Sequence, residues 1–178
     1  WSTVDPQVKY FWSITVPEAT KDDNANPNTT VKTVKREVID ISSHNAIDFA
    51  KTKSKYQNII IRVGYRGYST GKLTLDTKFW AHCKSASENG MKLGFYFYDQ
   101  SLNETEAIEQ ADYVADLVAA LPVSYPIYLD SEYSNTNKNG RAEKISTSQR
   151  TKNIRAFCER IKAKGYTPGV YASDSWFK

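Results

Sequence analysis

Two acidic residues, Asp130 and Glu132, are the part of the sequence with the clearest chemical meaning. They follow the apolar run of residues 126–129, with one serine between them. If this run forms a β-strand, residues two positions apart point to the same face, and the two carboxylates project side by side from the C-terminal end of the strand. Parallel α/β folds place their active sites at this end of their strands.

Two carboxyl groups held this close cannot titrate alike, because the charge on one raises the pKa of the other. One group can then keep its proton near neutral pH while the other is ionised. Hydrolysis of a glycosidic bond uses this division between a proton donor and an ionised partner. In the alternative interpretation, residues 130–132 are a strand exit whose acids face water or cap the next helix. The secondary structure around residues 130–132 is needed to choose between these two interpretations.

Strands and helices alternate along the chain from Val38 onward. Hydrophobic periodicity and end signals predict strands at 38–42, 58–65, 92–98, 127–130 and 168–172, and helices at 48–56, 76–89, 104–121 and 148–164. Uninterrupted alternation with right-handed crossovers gives a parallel sheet, in either a doubly wound sheet or a barrel. The pattern alone does not choose between them. In both, the acid pair ends the fourth strand.

The first 30 residues differ from the rest of the chain. Residues 8–16 alternate between apolar and polar side chains, which predicts a strand that is stopped by Pro17. Residues 21–30 are polar and turn-forming, which indicates a linker. We therefore interpret residues 1–30 as an N-terminal β-segment and linker, either the end of a preceding module or a strand that wraps the main domain. Residues 31–178 form the main domain in this interpretation.

Composition narrows the class of protein and of partner. With 178 residues, of which 40% are hydrophobic and 25% charged, the chain can bury a globular core. Its 12 Tyr and 4 Trp suit a surface that stacks on sugar rings or bases, although tyrosines also pack cores. The net charge of +4 is mildly basic, and no dense Lys/Arg run predicts a nucleic-acid partner. No apolar stretch is long enough to predict a membrane span.

The cysteines and histidines do not point to a site. Cys83 and Cys158 fall on the apolar faces of predicted helices, so we expect buried thiols in place of a disulfide or a metal pair. His44 and His82 lack metal-ligand spacing, and we expect neither a metal nor a cofactor. The absence of a phosphate-cradling glycine loop and of a Gly-x-Ser-x-Gly elbow argues against nucleotide chemistry and most amidases.

Six sequence motifs follow one another along the chain: residues 38–44 with 47–49, 61–66, 76 with 79, 94–98, 126–132, and 165–166 with 169–172. Taken together and in this order, they resemble the family-25 glycoside hydrolases, which are muramidases of the lysozyme type. The resemblance extends from residue 38 to about residue 176. One departure is at residues 44–46, His-Asn-Ala, where the family usually has Gln and Gly. We expect substrate contacts to differ there.

The resemblance implies an α/β fold, an irregular TIM-like (β/α)5(β)3 barrel of which this chain carries the first five strands. The sequence stops at Lys178, before the family's last three strands. A barrel without these strands leaves sheet edges open and its interior layer exposed. We therefore expect a second chain or a further C-terminal segment to complete the barrel.

The resemblance also implies an activity, hydrolysis of the β-1,4 bond between N-acetylmuramic acid and N-acetylglucosamine in peptidoglycan. Glu132 corresponds to the general acid, and Asp130 to the partner carboxylate, acting as nucleophile or orienting a neighbouring acetamido group. The resemblance further implies that Asp40 ends the first strand and points into the same bowl. The implied partners are peptidoglycan glycan strands, and the implied location is extracellular or at the cell wall.

The spacing of the acid pair predicts the stereochemistry. Residues i and i+2 of one strand lie about 6.5–7 Å apart at Cα, which is nearer to the carboxylate separation of retaining enzymes than to that of inverting ones. The sequence therefore predicts retention of configuration. The alternative function is that of a non-catalytic module that binds peptidoglycan or another glycan without cleaving it.

Further candidate residues lie at or near strand ends. Tyr65, Tyr98 and Tyr171 are positioned to stack on or hydrogen-bond the sugars, although tyrosines in a barrel also serve only to fill its interior. Asp99 and Arg62 are expected to be structural, paired within or beneath the barrel.

Overall fold

The computed structural model describes residues 11–17, 33–134 and 137–173. The strands are β1 (Phe11–Pro17), β2 (Thr33–Ile41), β3 (Asn58–Arg66), β4 (Leu73–Leu75), β5 (Lys92–Tyr98), β6 (Val123–Ser131) and β7 (Pro168–Ala172). The helices are α1 (Phe49–Lys55), α2 (Phe79–Glu88), α3 (Glu104–Val118) and α4 (Thr147–Ala163), with a 3-10 helix at Arg141–Lys144. None of these helices is long and apolar enough to cross a membrane.

The described strands form one sheet in the order β1-β2-β3-β5-β6-β7, with β4 paired to the end of β3. Strands β2, β3, β5, β6 and β7 pair parallel with one another, and their spatial order follows the chain without a reversal. A doubly wound sheet would contain such a reversal. The sheet is a curled half-barrel, so the predicted α/β fold with the first five barrel strands is confirmed.

The two faces of the sheet pack differently, because successive side chains of a strand point to opposite faces. The outer face packs against the helices in a large apolar core, where Phe95 contacts Phe79 of α2 edge to face at 5.9 Å. The inner face carries a small apolar layer of Val38, Ile60, Tyr125 and Tyr128. Above this layer, toward the C-terminal ends of the strands, the inner side chains become polar.

Strand β1 is part of the same sheet as the barrel strands. It pairs antiparallel with β2 in a register from Phe11 opposite Ile39 to Pro17 opposite Thr33. This pairing makes β2 five residues longer at its N-terminal end than the strand predicted at 38–42. Residues 8–10 of the predicted N-terminal strand and the predicted linker at 21–30 lie outside the described residues.

Helix α2 begins at Phe79, three residues later than predicted, because Asp76 has tertiary partners. The Asp76 amide donates to the Val63 carbonyl at 2.9 Å, and its carboxylate accepts from the amides of Ser43 and Lys78. These bonds hold the backbone before Phe79 in a non-helical turn. The short strand β4 and the 3-10 helix were not predicted from the sequence.

Candidate active site

A cavity of about 860 Å³ opens at the C-terminal ends of the parallel strands. All six side chains that the sequence singles out for the site line this cavity: Asp40, Tyr65, Tyr98, Asp130, Glu132 and Tyr171. The strand register explains why they meet. In the sheet, Asp130 of β6 lies opposite Tyr98 of β5 on one side and opposite Tyr171 of β7 on the other.

The acid pair occupies two depths of the cavity. Asp130 is 7% exposed, and no hydrogen-bond partner for its Oδ1 atom is present among the described residues. Glu132 follows the last residue of β6 and is half-buried. Asp130 therefore presents a buried carboxylate oxygen to which none of the described residues donates a hydrogen bond, and Glu132 lies near it with greater access to solvent.

Burial and neighbouring charges disturb the titration of this pair. Burial raises the pKa of Asp130 well above its usual range, and the carboxylates of Glu132, Asp40 and Asp99 raise it further, while Arg62 acts in the opposite direction. Burial also raises the pKa of Glu132. The two groups therefore hold a proton between them at pH values where isolated carboxyl groups are ionised.

The stronger upward shift is at Asp130, whereas the resemblance assigns the donated proton to Glu132. Because two interacting carboxyl groups titrate as a pair, the retained proton belongs to the pair and not to one residue. Donation by Glu132 requires that the proton lie on Glu132 in the substrate complex.

Arg62 brings a positive charge to the wall of the cavity. Its Nε donates to Asp76 at 2.7 Å and its Nη2 donates to the Ser43 hydroxyl at 3.0 Å, while its guanidinium lies 5.6 Å from the centre of the Tyr65 ring. Burial raises the pKa of Asp76, but hydrogen bonds from Ser43, Lys78 and Arg62 outweigh it and leave the pKa low. Arg62 is thus paired, as expected, and it also lines the cavity.

Asp99 directly follows β5. Its charge raises the pKa of Asp130, and its own carboxylate is hydrogen-bonded within the protein. It is buried, and its Oδ1 accepts hydrogen bonds from the Ser101 amide at 2.8 Å and from Gln110 Nε2 at 3.0 Å. Its own amide donates to the Asp130 carbonyl at 2.8 Å. Asp99 therefore connects the end of β5 with the end of β6.

The three tyrosines differ in what they can offer a ligand. The Tyr98 hydroxyl donates to the backbone carbonyl of Glu132 at 3.2 Å and accepts from Gln100 at 3.1 Å, so its proton is already used within the protein. Tyr65 lies beside Arg62. Tyr171 is 42% exposed and presents the most open ring of the three. Tyr171 is therefore the best suited of them to stack on a sugar.

Sequence reasoning missed four further aromatic side chains of the cavity wall, Tyr68, Tyr96, Tyr128 and Tyr133. Tyr68 and Tyr133 are the exposed ones, at 53% and 40%, and the Lys138 ammonium lies 4.4 Å from the centre of the Tyr133 ring. Tyr133 directly follows Glu132, and this adjacency was a usable signal. Tyr68 lies between β3 and β4, so its position depended on a strand that was not predicted.

The described residues contain no group of three or more His, Cys, Asp or Glu side chains arranged to hold a metal ion. Both cysteines are free thiols, with Cys83 buried in α2 and Cys158 half-buried in α4. His44 lines the cavity, and His82 is buried in α2 with its ring centre 5.8 Å from that of Phe49. The acidic side chains that line the cavity are Asp40, Asp130 and Glu132.

Comparison with known proteins agrees with this geometry. The family model described as Glycosyl hydrolases family 25 matches residues 39–178. A comparison with curated protein sequences gave no match. Among solved structures, the modular autolysin LytC from Streptococcus pneumoniae is 29% identical with a TM-score of 0.66, over 79% of this chain and 33% of LytC.

Two further structures share the fold at lower identity. The spore cortex lytic enzyme SleM from Clostridium perfringens is 22% identical with a TM-score of 0.66, over 78% of this chain and 44% of SleM. A muramidase from Trichobolus zukalii is 24% identical with a TM-score of 0.59, over 78% of this chain and 65% of the muramidase. The chain thus spans between about one third and two thirds of the length of these relatives. Since the family model covers most of its length, the chain belongs to glycosyl hydrolase family 25.

Proposed function

We propose that the chain hydrolyses the β-1,4 bond between N-acetylmuramic acid and N-acetylglucosamine in peptidoglycan, with Glu132 as the general acid and Asp130 as its partner carboxylate. One observation carries this proposal: the two acids share a cavity at the C-terminal edge of the sheet, and the pKa of each is raised. The relatives support the substrate, because LytC has been solved with a synthetic peptidoglycan ligand and the Trichobolus zukalii protein is a muramidase.

The proposed reaction begins with transfer of a proton from Glu132 to the glycosidic oxygen as its bond to the anomeric carbon breaks. The anomeric carbon gains positive charge and is attacked from the opposite face, either by Asp130 or by the acetamido oxygen of the substrate, which Asp130 orients. Water then attacks the anomeric carbon while Glu132 takes its proton, and the bond from that carbon to Asp130 or to the acetamido oxygen breaks. Asp130 Oδ1, which has no hydrogen-bond partner in the described part of the chain, suits both routes, because it can attack carbon or accept the acetamido N–H.

The remaining carboxylate and the aromatic rings are given supporting roles in this proposal. Asp40 adds a third carboxylate to the cavity, and negative charge near the anomeric carbon stabilises an oxocarbenium-like transition state. Tyr68, Tyr133 and Tyr171 expose large ring surfaces on which sugar rings can stack. A substrate found in bacterial walls implies action outside the cell or at the wall.

The direct test is the release of reducing sugars from purified peptidoglycan by the wild type and by two variants. Removal of a general acid costs about 10²- to 10⁴-fold in rate, and we expect a loss of this size in Glu132→Gln. Glu88→Gln changes an exposed glutamate that pairs with Lys84 on the helix surface, and it should retain wild-type activity. Equal activity of Glu132→Gln and the wild type would refute the assignment of the acid.

The alternative function, a glycan-binding module without turnover, makes a different prediction for the same proteins. It requires that the wild type and Glu132→Gln both sediment with insoluble peptidoglycan and that neither releases reducing ends. The exposed rings of Tyr68, Tyr133 and Tyr171 would support such binding without any acid. Release of reducing ends by the wild type alone would exclude this alternative.

Stereochemistry is a second test of the proposed reaction. The two acids have one residue between them and project to the same side of one strand end, so their carboxyl groups can converge to the short separation of retaining enzymes. We expect the first product observed by ¹H NMR to carry the β-anomeric configuration of the substrate. Initial formation of the α-anomer would contradict the proposed double displacement.

A further inference from the structure

The segment that follows Glu132 is held near both of its ends by one side chain, that of Gln100. Gln100 lies two residues past β5 and is 1% exposed. Its Nε2 donates to the Tyr98 hydroxyl at 3.1 Å, and this hydroxyl donates to the Glu132 carbonyl at 3.2 Å. Its Oε1 accepts from the Ala142 amide at 3.1 Å in the 3-10 helix. A single buried amide therefore links Glu132 to the helix that closes the segment.

Gln100 also determines the direction of the Tyr98 hydroxyl. A phenol has one proton, so a hydroxyl oxygen that accepts from an amide N–H keeps its own proton for another acceptor. The Glu132 carbonyl is that acceptor. Burial raises the pKa of Tyr98 well above its usual value, so the hydroxyl keeps its proton through the range in which the carboxyl pair titrates.

The position of Gln100 is itself well defined. Its backbone carbonyl accepts from Arg141 Nη1 at 3.2 Å, and Arg141 is bound to both carboxylate oxygens of Glu106 at 2.8 and 2.9 Å. A Cβ atom on Gly140 would lie 2.6 Å from Gln100 Oε1, so only a glycine leaves room for this amide. The amide therefore connects Glu132 to a rigid support formed by the 3-10 helix and the first turn of α3.

We propose that Gln100 is a positioning residue of the reaction: through Tyr98 it holds the backbone of Glu132, and with it the proton-donating carboxyl group, at a defined place in the cavity. This inference rests on the proposed function. A general acid must lie within hydrogen-bond distance of the oxygen that it protonates. Gln100 does not line the cavity, so it acts on Glu132 and not on the substrate.

A double-mutant cycle tests this proposal. Gln100→Met keeps the length of the side chain and removes both hydrogen bonds, Tyr98→Phe keeps the ring and removes the hydroxyl, and the double variant combines them. Asn153→Leu is the matched control. Asn153 in α4 is a fully buried amide that does not line the cavity, and it donates to the Ser101 carbonyl at 2.9 Å. Each protein is assayed for kcat, KM and melting temperature.

We expect kcat to fall about tenfold in Gln100→Met and in Tyr98→Phe, with KM changed less than about twofold, because a misplaced acid slows proton transfer without removing a substrate contact. If Gln100 acts through Tyr98, the double variant is no slower than Tyr98→Phe. Asn153→Leu should lower the melting temperature and keep kcat. Wild-type kcat in Gln100→Met, or losses that multiply in the double variant, would overturn the proposal.

A second readout does not depend on turnover. The pKa of the Glu132 carboxyl group is measured by ¹³C NMR titration without substrate in the same proteins. We expect this pKa to fall toward that of an exposed glutamate in Gln100→Met and Tyr98→Phe, since a released segment admits water, and to keep its wild-type value in Asn153→Leu. An unchanged pKa of Glu132 in both Gln100→Met and Tyr98→Phe would overturn the proposal.

The two readouts separate this inference from the proposed function. A wild-type chain that releases no reducing ends would refute the proposed function, while the NMR titration would still decide whether Gln100 holds Glu132. If Gln100→Met does not fold, Tyr98→Phe alone decides, because its hydroxyl is the direct link to Glu132.

Discussion

At the scale of single residues, the cavity contains a carboxyl group, that of Asp130, whose burial is unfavourable for the free energy of folding. Asp130 is almost fully buried, and its Oδ1 has no hydrogen-bond donor among the described residues. Burying an ionised or unpartnered carboxyl group destabilises a folded protein, so a site of this kind reflects reactivity and not stability. The charges of Glu132 and Asp40 add to this cost.

This cost predicts that Asp130→Asn stabilises the protein. Because the pKa of Asp130 is raised on folding, the native state binds its proton more tightly than the unfolded chain does, and the free energy of unfolding falls as pH rises through that range. We expect Asp130→Asn to be more stable than the wild type at neutral pH by about 1–3 kcal/mol in urea unfolding. The gain should disappear below about pH 3.8, the ordinary pKa of aspartate.

Asp116→Asn is the control for this comparison, because Asp116 is 75% exposed beside Lys164 and should give no gain. A neutral-pH stability of Asp130→Asn below that of the wild type would show that the Asp130 carboxylate has stabilising partners in the folded protein.

The coupling of the acid pair gives a second prediction at this scale. The Glu132 carboxylate raises the pKa of Asp130, so replacing it with the neutral amide of Glu132→Gln should lower the pKa of Asp130. Activity of the wild type should decline as pH rises above the raised pKa of the pair, since the donated proton is then lost. A ¹³C NMR titration of Asp130 that is identical in both proteins would contradict the coupling.

At the scale of secondary-structure elements, local signals predicted most of the fold, and long-range hydrogen bonds account for the rest. Strands β5 and β7 begin and end where hydrophobicity and glycine or proline signals predict. Helix α2 starts late because Asp76 accepts bonds from Ser43 and Lys78. The 3-10 helix begins where the Arg141 amide donates to the Tyr68 carbonyl, and no local pattern encodes that contact.

The same limit applies to the candidate site. Strand-end positions, together with the barrel that the family resemblance implied, predicted that these six residues share one site, and all six line the cavity. The exposed rings of Tyr68 and Tyr133 and the link through Gln100 depend on how turns and loops pack, and sequence spacing does not report this. The pKa of Asp130 depends on charges from elsewhere in the chain, such as Asp40 and Asp99, and the pKa of Glu132 is raised by burial.

The bond between Arg62 and Asp76 is an element-scale contact that we expect to be important for stability, because it ties β3 to the start of α2 and to Ser43. Asp76→Asn leaves the guanidinium without its charge partner, and removal of one member of a buried ion pair costs about 3–5 kcal/mol. Arg62→Met/Asp76→Asn should lose less than the sum of the single variants in urea unfolding. Additive losses would show that the two side chains are not coupled.

The pH dependence of this contact is opposite to that of Asp130. The pKa of Asp76 is lowered on folding, so its contribution is present above the ordinary aspartate pKa of 3.8 and is lost as pH falls toward the lowered value. We expect the wild type to lose stability over that acidic range. Asp76→Asn has no carboxyl group there to titrate, so its unfolding free energy should change less.

At the scale of the whole molecule, the half-barrel explains how residues far apart in sequence reach one cavity. Parallel strands in sequential order place their C-terminal ends along one rim, so Asp40 of β2, Tyr98 of β5 and Asp130 of β6 face the same space. The helices cover the outer face and leave the inner one to a thin apolar layer and the polar rim. This division of the two faces separates the residues that stabilise the fold from those available for chemistry.

The identity of the amino sugar at the newly formed reducing ends is the most direct test of the central claim. Purified peptidoglycan is digested with the wild type or Glu132→Gln, reduced with borohydride and hydrolysed, and the amino sugar alcohols are then quantified by mass spectrometry. We expect the alcohol of muramic acid to form with the wild type and to be at least about 100-fold less abundant with Glu132→Gln. New ends that carry glucosamine, no new ends, or equal yields from both proteins would contradict the account.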